Sequence, residues 1–288
     1  MPALLADWPF HPTVIAGVLL AAVLYWRGLS YSQSRGLARH VPWWRAAAFA
    51  AALFVLLLAL DSPLEPLADS FLWAHMLQHE LLTLGAAPLL LFSAPWLPLW
   101  RSVPLPARRS TLRWILRRRW PRRVWHQLTR VLWTPTIAWL LFACVFSLWH
   151  IPALYDLALE REEVHTLEHA LFLGTALIFW AQVIPSRPLH PRMSYPMQAI
   201  YLTTAALQSN VLGSLLVFST GPIYTWYATQ PRSASALPVL SDQHLAGATM
   251  DVFVTIVFFV AIVALLGYWL QEDERAPDPA RRPAIANQ

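Results

Sequence analysis

The chain has 288 residues, 57% of them hydrophobic and 13% charged, with a formal net charge of +5. An ordinary soluble domain carries roughly 25% charged residues, so the composition excludes that class and indicates an integral membrane protein. Every basic residue is arginine, gathered in a few loops between apolar runs, a pattern that suits an anionic leaflet and argues against nucleic acid.

In chain order, apolar runs approaching the ~20 residues of a bilayer crossing lie at Thr13–Trp26, Trp43–Leu60, Phe71–Leu99, Leu132–Trp149, Val164–Ile184, Pro196–Ser219 and Leu245–Leu270. The first is short. The third is long, and its Pro88, Pro95 and Pro98 predict a kink or an early exit. The expected fold is all-α: a polytopic membrane bundle of seven transmembrane helices, forming one domain over 1–270 with a tail over 271–288. The start, Met1–His11, lacks the charged region and cleavage site of a secretory signal, so the first run reads as a retained helix. The single cysteine, Cys144, excludes an internal disulfide or a Cys-x-x-Cys metal motif and reads as a small core- or lipid-facing residue.

Loop charges orient the bundle. Arg27–Arg45 carries Arg27, Arg35, Arg39 and Arg45, Arg101–Arg130 carries ten arginines, and Pro185–Tyr195 adds Arg187 and Arg192. The alternate loops hold Asp61, Glu65 and Asp69, then Asp156, Glu160, Glu162 and Glu163 against Arg161. The arginine loops are therefore expected in the cytoplasm, the N-terminus outside and the tail inside. Arg108–Arg130 mixes Trp114, Trp120, Val124 and Trp125 with its arginines. It reads as an interfacial helix on anionic headgroups, with a docking patch for a cytosolic partner as the alternative.

That orientation collects histidines at the outer face. His75 and His79 open the third span, His150 ends the fourth, His165 and His169 open the fifth, and His244 precedes the seventh. His11 is a further candidate, whereas His40, His126 and His190 fall in arginine loops and read as solvated surface. Each i, i+4 pair puts two imidazoles on one helix face. Ionisable groups in a membrane are costly and usually functional, and imidazole is the commonest metal-binding side chain. The set therefore reads as a metal site, with copper, as Cu(I), favoured. Met76 and Met250 are candidate soft auxiliary ligands, with ordinary packing as the alternative. Imidazole alone leaves zinc, iron or haem open. Glu80, Glu168, Asp242 and Asp251 are candidates to orient the histidines. Equally, Glu80 and Glu168 could snorkel to the interface, and Asp61, Asp156 and Asp242 could cap helices.

Several stretches carry a family resemblance. They are His75-Met-Leu-Gln-His79-Glu-Leu-Leu, Ala87-Pro-Leu-Leu, Ser93-Ala-Pro95, Trp149-His-Ile-Pro-Ala-Leu-Tyr155-Asp156, His165-Thr-Leu-Glu-His169-Ala-Leu-Phe172 and Asp242-Gln-His-Leu-Ala-Gly247-Ala-Thr-Met250. Together they resemble the seven-span CtaG family of cytochrome c oxidase assembly factors. The resemblance implies a multi-pass protein of the bacterial inner membrane that helps mature haem–copper terminal oxidases, at the step supplying copper to subunit I. It implies an oxidase subunit as partner, with a periplasmic copper chaperone as a further one, and family histidine positions at His75, His79, His150, His165 and His169. Neither Gly-x-Ser-x-Gly nor Gly-x-x-x-x-Gly-Lys occurs, so catalysis is not expected. The rivals are a seven-span zinc hydrolase with His75, His79 and His169 as ligands and Asp242 or Asp251 as base, a b-type haem protein, and a structural bundle.

Overall fold

The computed structural model describes residues 10–36, 42–117, 119–230 and 237–275, and the side chains of 112, 115–117, 119–122, 125, 126 and 128 lie outside the described set. His40, the side chain of His126 and the tail beyond Arg275 therefore lie outside it as well. The described residues form helices joined by turns and loops, with no strand and one isolated bridge between Ser186 and Leu189.

Helix α1 (Pro12–Ser34) starts on a proline, whose fixed φ suits a first helical turn. It runs well past Trp26, so Arg27 and the residues after it continue the helix instead of opening a loop. α2 (Trp43–Leu60) matches its predicted run, and the short α3 (Leu64–Ser70) follows. The long third run is broken as its prolines predict. It comprises α4 (Leu72–Glu80), a π-helical segment (Leu81–Ala86) and α5 (Ala87–Ser93). The π segment stands just before Pro88, whose ring lacks an N–H and crowds the preceding turn. Ala94 then takes a left-handed conformation with φ 45°, and the chain bends by 65° into α6 (Trp96–Ser102).

The arginine-rich segment forms two helices, α7 (Leu105–Arg117) and α8 (Arg119–Leu132), where one was expected. α9 (Pro135–Trp149) bends by 74° into α10 (Pro152–Glu160). The remaining helices are α11 (Glu162–Trp180), α12 (Tyr195–Val217), the short α13 (Thr225–Thr229) and α14 (Val239–Arg275). Asp242 and His244 thus sit within the first turns of α14 and do not precede it.

Four of these helices, α1, α2, α12 and α14, are long and apolar enough to cross a membrane, and the count rises to six if each bent pair is one span. The sequence predicts seven. The difference is α11, whose 19 residues coincide with the expected fifth span but include Glu162, Glu163, His165, Glu168 and His169.

The distribution of side chains is that of a membrane protein. His75, Gln78, Glu168 and Asp242 are fully buried, while Ile256, Phe259, Val260 and Val263 on α14 stand exposed, an apolar outer surface suited to lipid. α12 and α14 make the most extensive helix pair, and they cross at Gly213 and Gly247. A Cβ on Gly247 would lie 2.4 Å from the Gly213 carbonyl oxygen, so only hydrogen fits where the backbones meet. One apolar cluster is built around Phe142, Phe179, Trp180 and Phe258. A second, with Met76, Phe146, Tyr155, Phe172, Tyr227 and Met250, surrounds the polar centre described next.

Candidate metal centre

The register of α4 and α11 sets one histidine pair against the other. His75 and His79 lie one turn apart on α4, His165 and His169 one turn apart on α11, and each offers a ring nitrogen such that all four atoms lie within 4.8 Å of one another. His75 Nε2 is 2.9 Å from His79 Nε2. The ring centroids of His165 and His169 are 4.2 Å apart, and those of His79 and His169 5.3 Å. Glu168 sits between the pairs, its carboxylate oxygens 3.8 Å from His75 Nε2 and 3.7 Å from His79 Nε2.

A cap from distant parts of the chain fixes this geometry. Tyr227 donates its hydroxyl to the Ala68 carbonyl at 2.9 Å, and its oxygen lies 3.2 Å from His75 Nδ1. Because the phenolic hydrogen is committed to Ala68, His75 Nδ1–H is the donor to Tyr227, which leaves the Nε2 lone pair facing the cluster. Tyr155 packs on His75 with ring centroids 5.1 Å apart and on Tyr224 at 4.0 Å. Asp156 accepts the backbone N–H groups of Thr225 and Trp226, both at 3.3 Å, holding α13 in place. The Asp242 carboxylate accepts the N–H groups of Leu72 at 3.1 Å and Trp73 at 3.2 Å, so it caps the helix that carries His75 and His79. Gln78, between them, donates to the Ala59 carbonyl and to Glu65, each at 2.7 Å. Burial pushes the Glu65 carboxyl up to about 7, and nearby Asp69 adds to the rise.

The centre contains polar atoms that the protein leaves unmatched. His79 Nδ1, His165 Nε2, His169 Nε2 and both oxygens of Glu168 are buried without a hydrogen-bond partner among the described residues. Each such atom costs about 1–3 kcal/mol. Imidazole nitrogens hold a metal at about 2.0–2.1 Å, so two ligands across one ion stand about 4.2 Å apart. The observed spread fits a single cation after small inward movement, and the carboxylate beside it is suited to balance its charge.

The other predicted site residues are placed elsewhere. His150 is outside the four-histidine group, and its Nδ1 donates to the Phe146 carbonyl at 2.7 Å. His244 is turned away, its Nε2 donating to the Ser219 carbonyl at 3.0 Å. His11 pairs with Asp61, its backbone N–H 2.8 Å from the carboxylate. Asp251 accepts from the Ser214 hydroxyl at 3.2 Å. Glu80 and Glu168 are both buried and do not snorkel. Met76 and Met250 are buried in the apolar layer beside the cluster, His190 is exposed as expected, and Cys144 is exposed. Sequence reasoning missed Tyr224, Tyr227 and Gln78. The run Ile223-Tyr-Thr-Trp-Tyr227 after Gly221-Pro222 was a signal, being an aromatic patch in a loop on the same side as the histidines.

A family model described as cytochrome c oxidase caa3 assembly factor matches residues 23–272. The chain belongs to that family. The match to the caa3 assembly factor family takes in the four clustered histidines, Glu168, Asp242 and the Tyr224–Tyr227 cap, so the whole centre lies within the matched residues. Two relatives, the uncharacterized proteins Mb0105 of Mycobacterium bovis and MT0111 of Mycobacterium tuberculosis, are each 22% identical over 286 residues, covering 97% of this chain. The chain spans 42% of the length of each. No solved structure matches it.

Proposed function

We propose that this family member is a seven-span protein of the bacterial inner membrane that carries copper to a haem–copper terminal oxidase. His75, His79, His165 and His169 bind the ion as Cu(I), with Glu168 as counter-charge. α11 is the span that completes the seven, and the arginine loops face the cytoplasm, so the centre opens to the periplasmic side. There a copper chaperone loads the ion, and a subunit of the oxidase receives it. The observation that carries this reading is the four-histidine cluster with buried, unpartnered ring nitrogens. Four neutral imidazoles neutralise none of the ion's charge, which favours a singly charged cargo that one carboxylate can balance.

Catalysis is not part of the proposal. The cavity adjoining the histidines measures about 10 Å³, room for roughly one water, whereas a lipid substrate or a macrocycle needs several hundred Å³. This counts against the zinc hydrolase and the b-type haem protein alike. The test is His75→Ala/His79→Ala in a host whose caa3 oxidase depends on this protein. The variant is expected in the membrane at wild-type level, with oxidase activity and oxidase-bound copper down at least tenfold. Normal, copper-loaded oxidase in that strain would overturn the reading.

A further inference from the structure

His150 was expected with the other histidines, yet it belongs to a different piece of the interior. Its Nδ1–H is fixed on the Phe146 carbonyl, so its lone pair is on Nε2. That Nε2 is buried with no hydrogen-bond partner among the described residues, and so are both carboxylate oxygens of Glu80. Both residues line the cavity of about 10 Å³ that adjoins the cluster, together with Met76, His79, Ser209 and Met250. None of His150, Glu80, Met76 or Met250 is in the four-histidine group, but His79 is in both.

We infer that this cavity is a second ion position, a thioether-containing Cu(I) site next to the four-histidine centre, with His79 between the two. The donors are His150 Nε2 and the sulfurs of Met76 and Met250, with Glu80 as the balancing charge. The soft thioether donors favour Cu(I), and a volume fit for one water fits one ion. A neutral imidazole has a lone pair on only one nitrogen at a time. His79 has Nε2 against His75 and a buried, unpartnered Nδ1. It therefore serves one position or the other, and a change of tautomer moves its donor atom between them. Ion transfer through the protein becomes a ligand-by-ligand exchange in which metal–ligand bonds break and form in turn. The His79 ring proton is lost from the nitrogen that takes up the ion and a proton is gained at the nitrogen that releases it, with the Glu168 carboxylate, 3.7 Å from Nε2, exchanging the proton there.

The inference rests on the copper reading above, and the test separates the two. The full-length protein in detergent is saturated with Cu(I) under reducing conditions and desalted. Copper per chain is counted and its neighbours are read by X-ray absorption. The wild type is expected to hold two coppers with sulfur scatterers. Met76→Leu/Met250→Leu, which roughly conserves volume, should fall to one copper with nitrogen or oxygen neighbours only. His165→Ala/His169→Ala should also fall to one, retaining sulfur. One copper without sulfur in the wild type, unchanged by the methionine substitutions, would overturn the second position and leave the histidine centre standing. No copper in any of the three would overturn both.

Discussion

Helix α11 carries Glu168 and His169 near its N-terminal end and Phe179 and Trp180 at its C-terminal end, and all four are buried. At the C-terminal end the aromatic contacts close on themselves. Phe179 stacks on Phe142 and Tyr201 with ring centroids 4.5 and 4.6 Å apart, and Trp180 Nε1 donates to the Thr83 carbonyl at 3.0 Å. Near its N-terminal end the same helix, facing His75 and His79 of α4, buries imidazole nitrogens and carboxylate oxygens without a hydrogen-bond partner among the described residues. Around the C-terminal half, isolated amide oxygens such as those of Gln182 and Gln198 are left unmatched, whereas the N-terminal half gathers its unmatched nitrogens and oxygens in one cluster. Burial alone therefore does not distinguish structure from function in this bundle. The clustering of unpartnered polar atoms does, with five of them from His79, His165, His169 and Glu168 gathered in one place.

The comparison predicts opposite outcomes for the two ends. The largest effect is expected from His75→Ala/His79→Ala, with at least a tenfold loss of oxidase-bound copper and little loss of fold. The second is Phe179→Ala, which should cost about 3–5 kcal/mol by opening a cavity, read as a lowered unfolding temperature in detergent. Copper bound per folded chain should be unchanged there, and a loss of copper at constant stability would blur the two halves. Third, Asp242→Ala removes the cap on α4 and should cost about 1–2 kcal/mol. Because α4 then frays beneath His75, Cu(I) affinity should fall together with thermal stability, and a variant as stable as wild type would refute the capping role.

A smaller effect concerns pH. Burial raises the Glu65 carboxyl from 4.5 to about 7, so the folded state favours its protonated form. The associated stabilisation is complete below about pH 4.5 and is lost as pH rises through about 7. Glu65→Gln should flatten the fall in unfolding temperature between pH 5 and 8, and an unchanged slope would place its origin elsewhere. The smallest effect is His190→Ala on the exposed loop, expected to alter stability by no more than about 0.5 kcal/mol and copper binding not at all.

The sequence made the bundle and its histidine pairs legible for physical reasons. Apolar runs such as Trp43–Leu60 announce helices by length, and i, i+4 spacing guarantees that His75 and His79 share a face. The break in the third run could be read from Pro88 and Pro95, although its form, a π segment followed by a left-handed Ala94, could not. Which histidines meet depends on helix rotation and depth. That is why His150 and His244, at the same membrane level by charge pattern, could not be sorted from the four that cluster. Tyr227 reaches His75 across 152 residues and Asp242 reaches Leu72 across 170, and such long-range pairings leave no periodic trace. The span expected at Val164–Ile184 corresponds to α11, which is not among the helices long and apolar enough to cross a membrane; the charged and histidine residues that it carries, Glu168 and the histidine pair among them, lower its hydropathy.

The most direct test is to load wild type and His165→Ala/His169→Ala with Cu(I), then with Zn(II) in competition, and count the metals retained after desalting. The account predicts copper held by the wild type in excess zinc, and one copper fewer per chain in the variant. Zinc retained in place of copper, or the same copper count in both proteins, would contradict it.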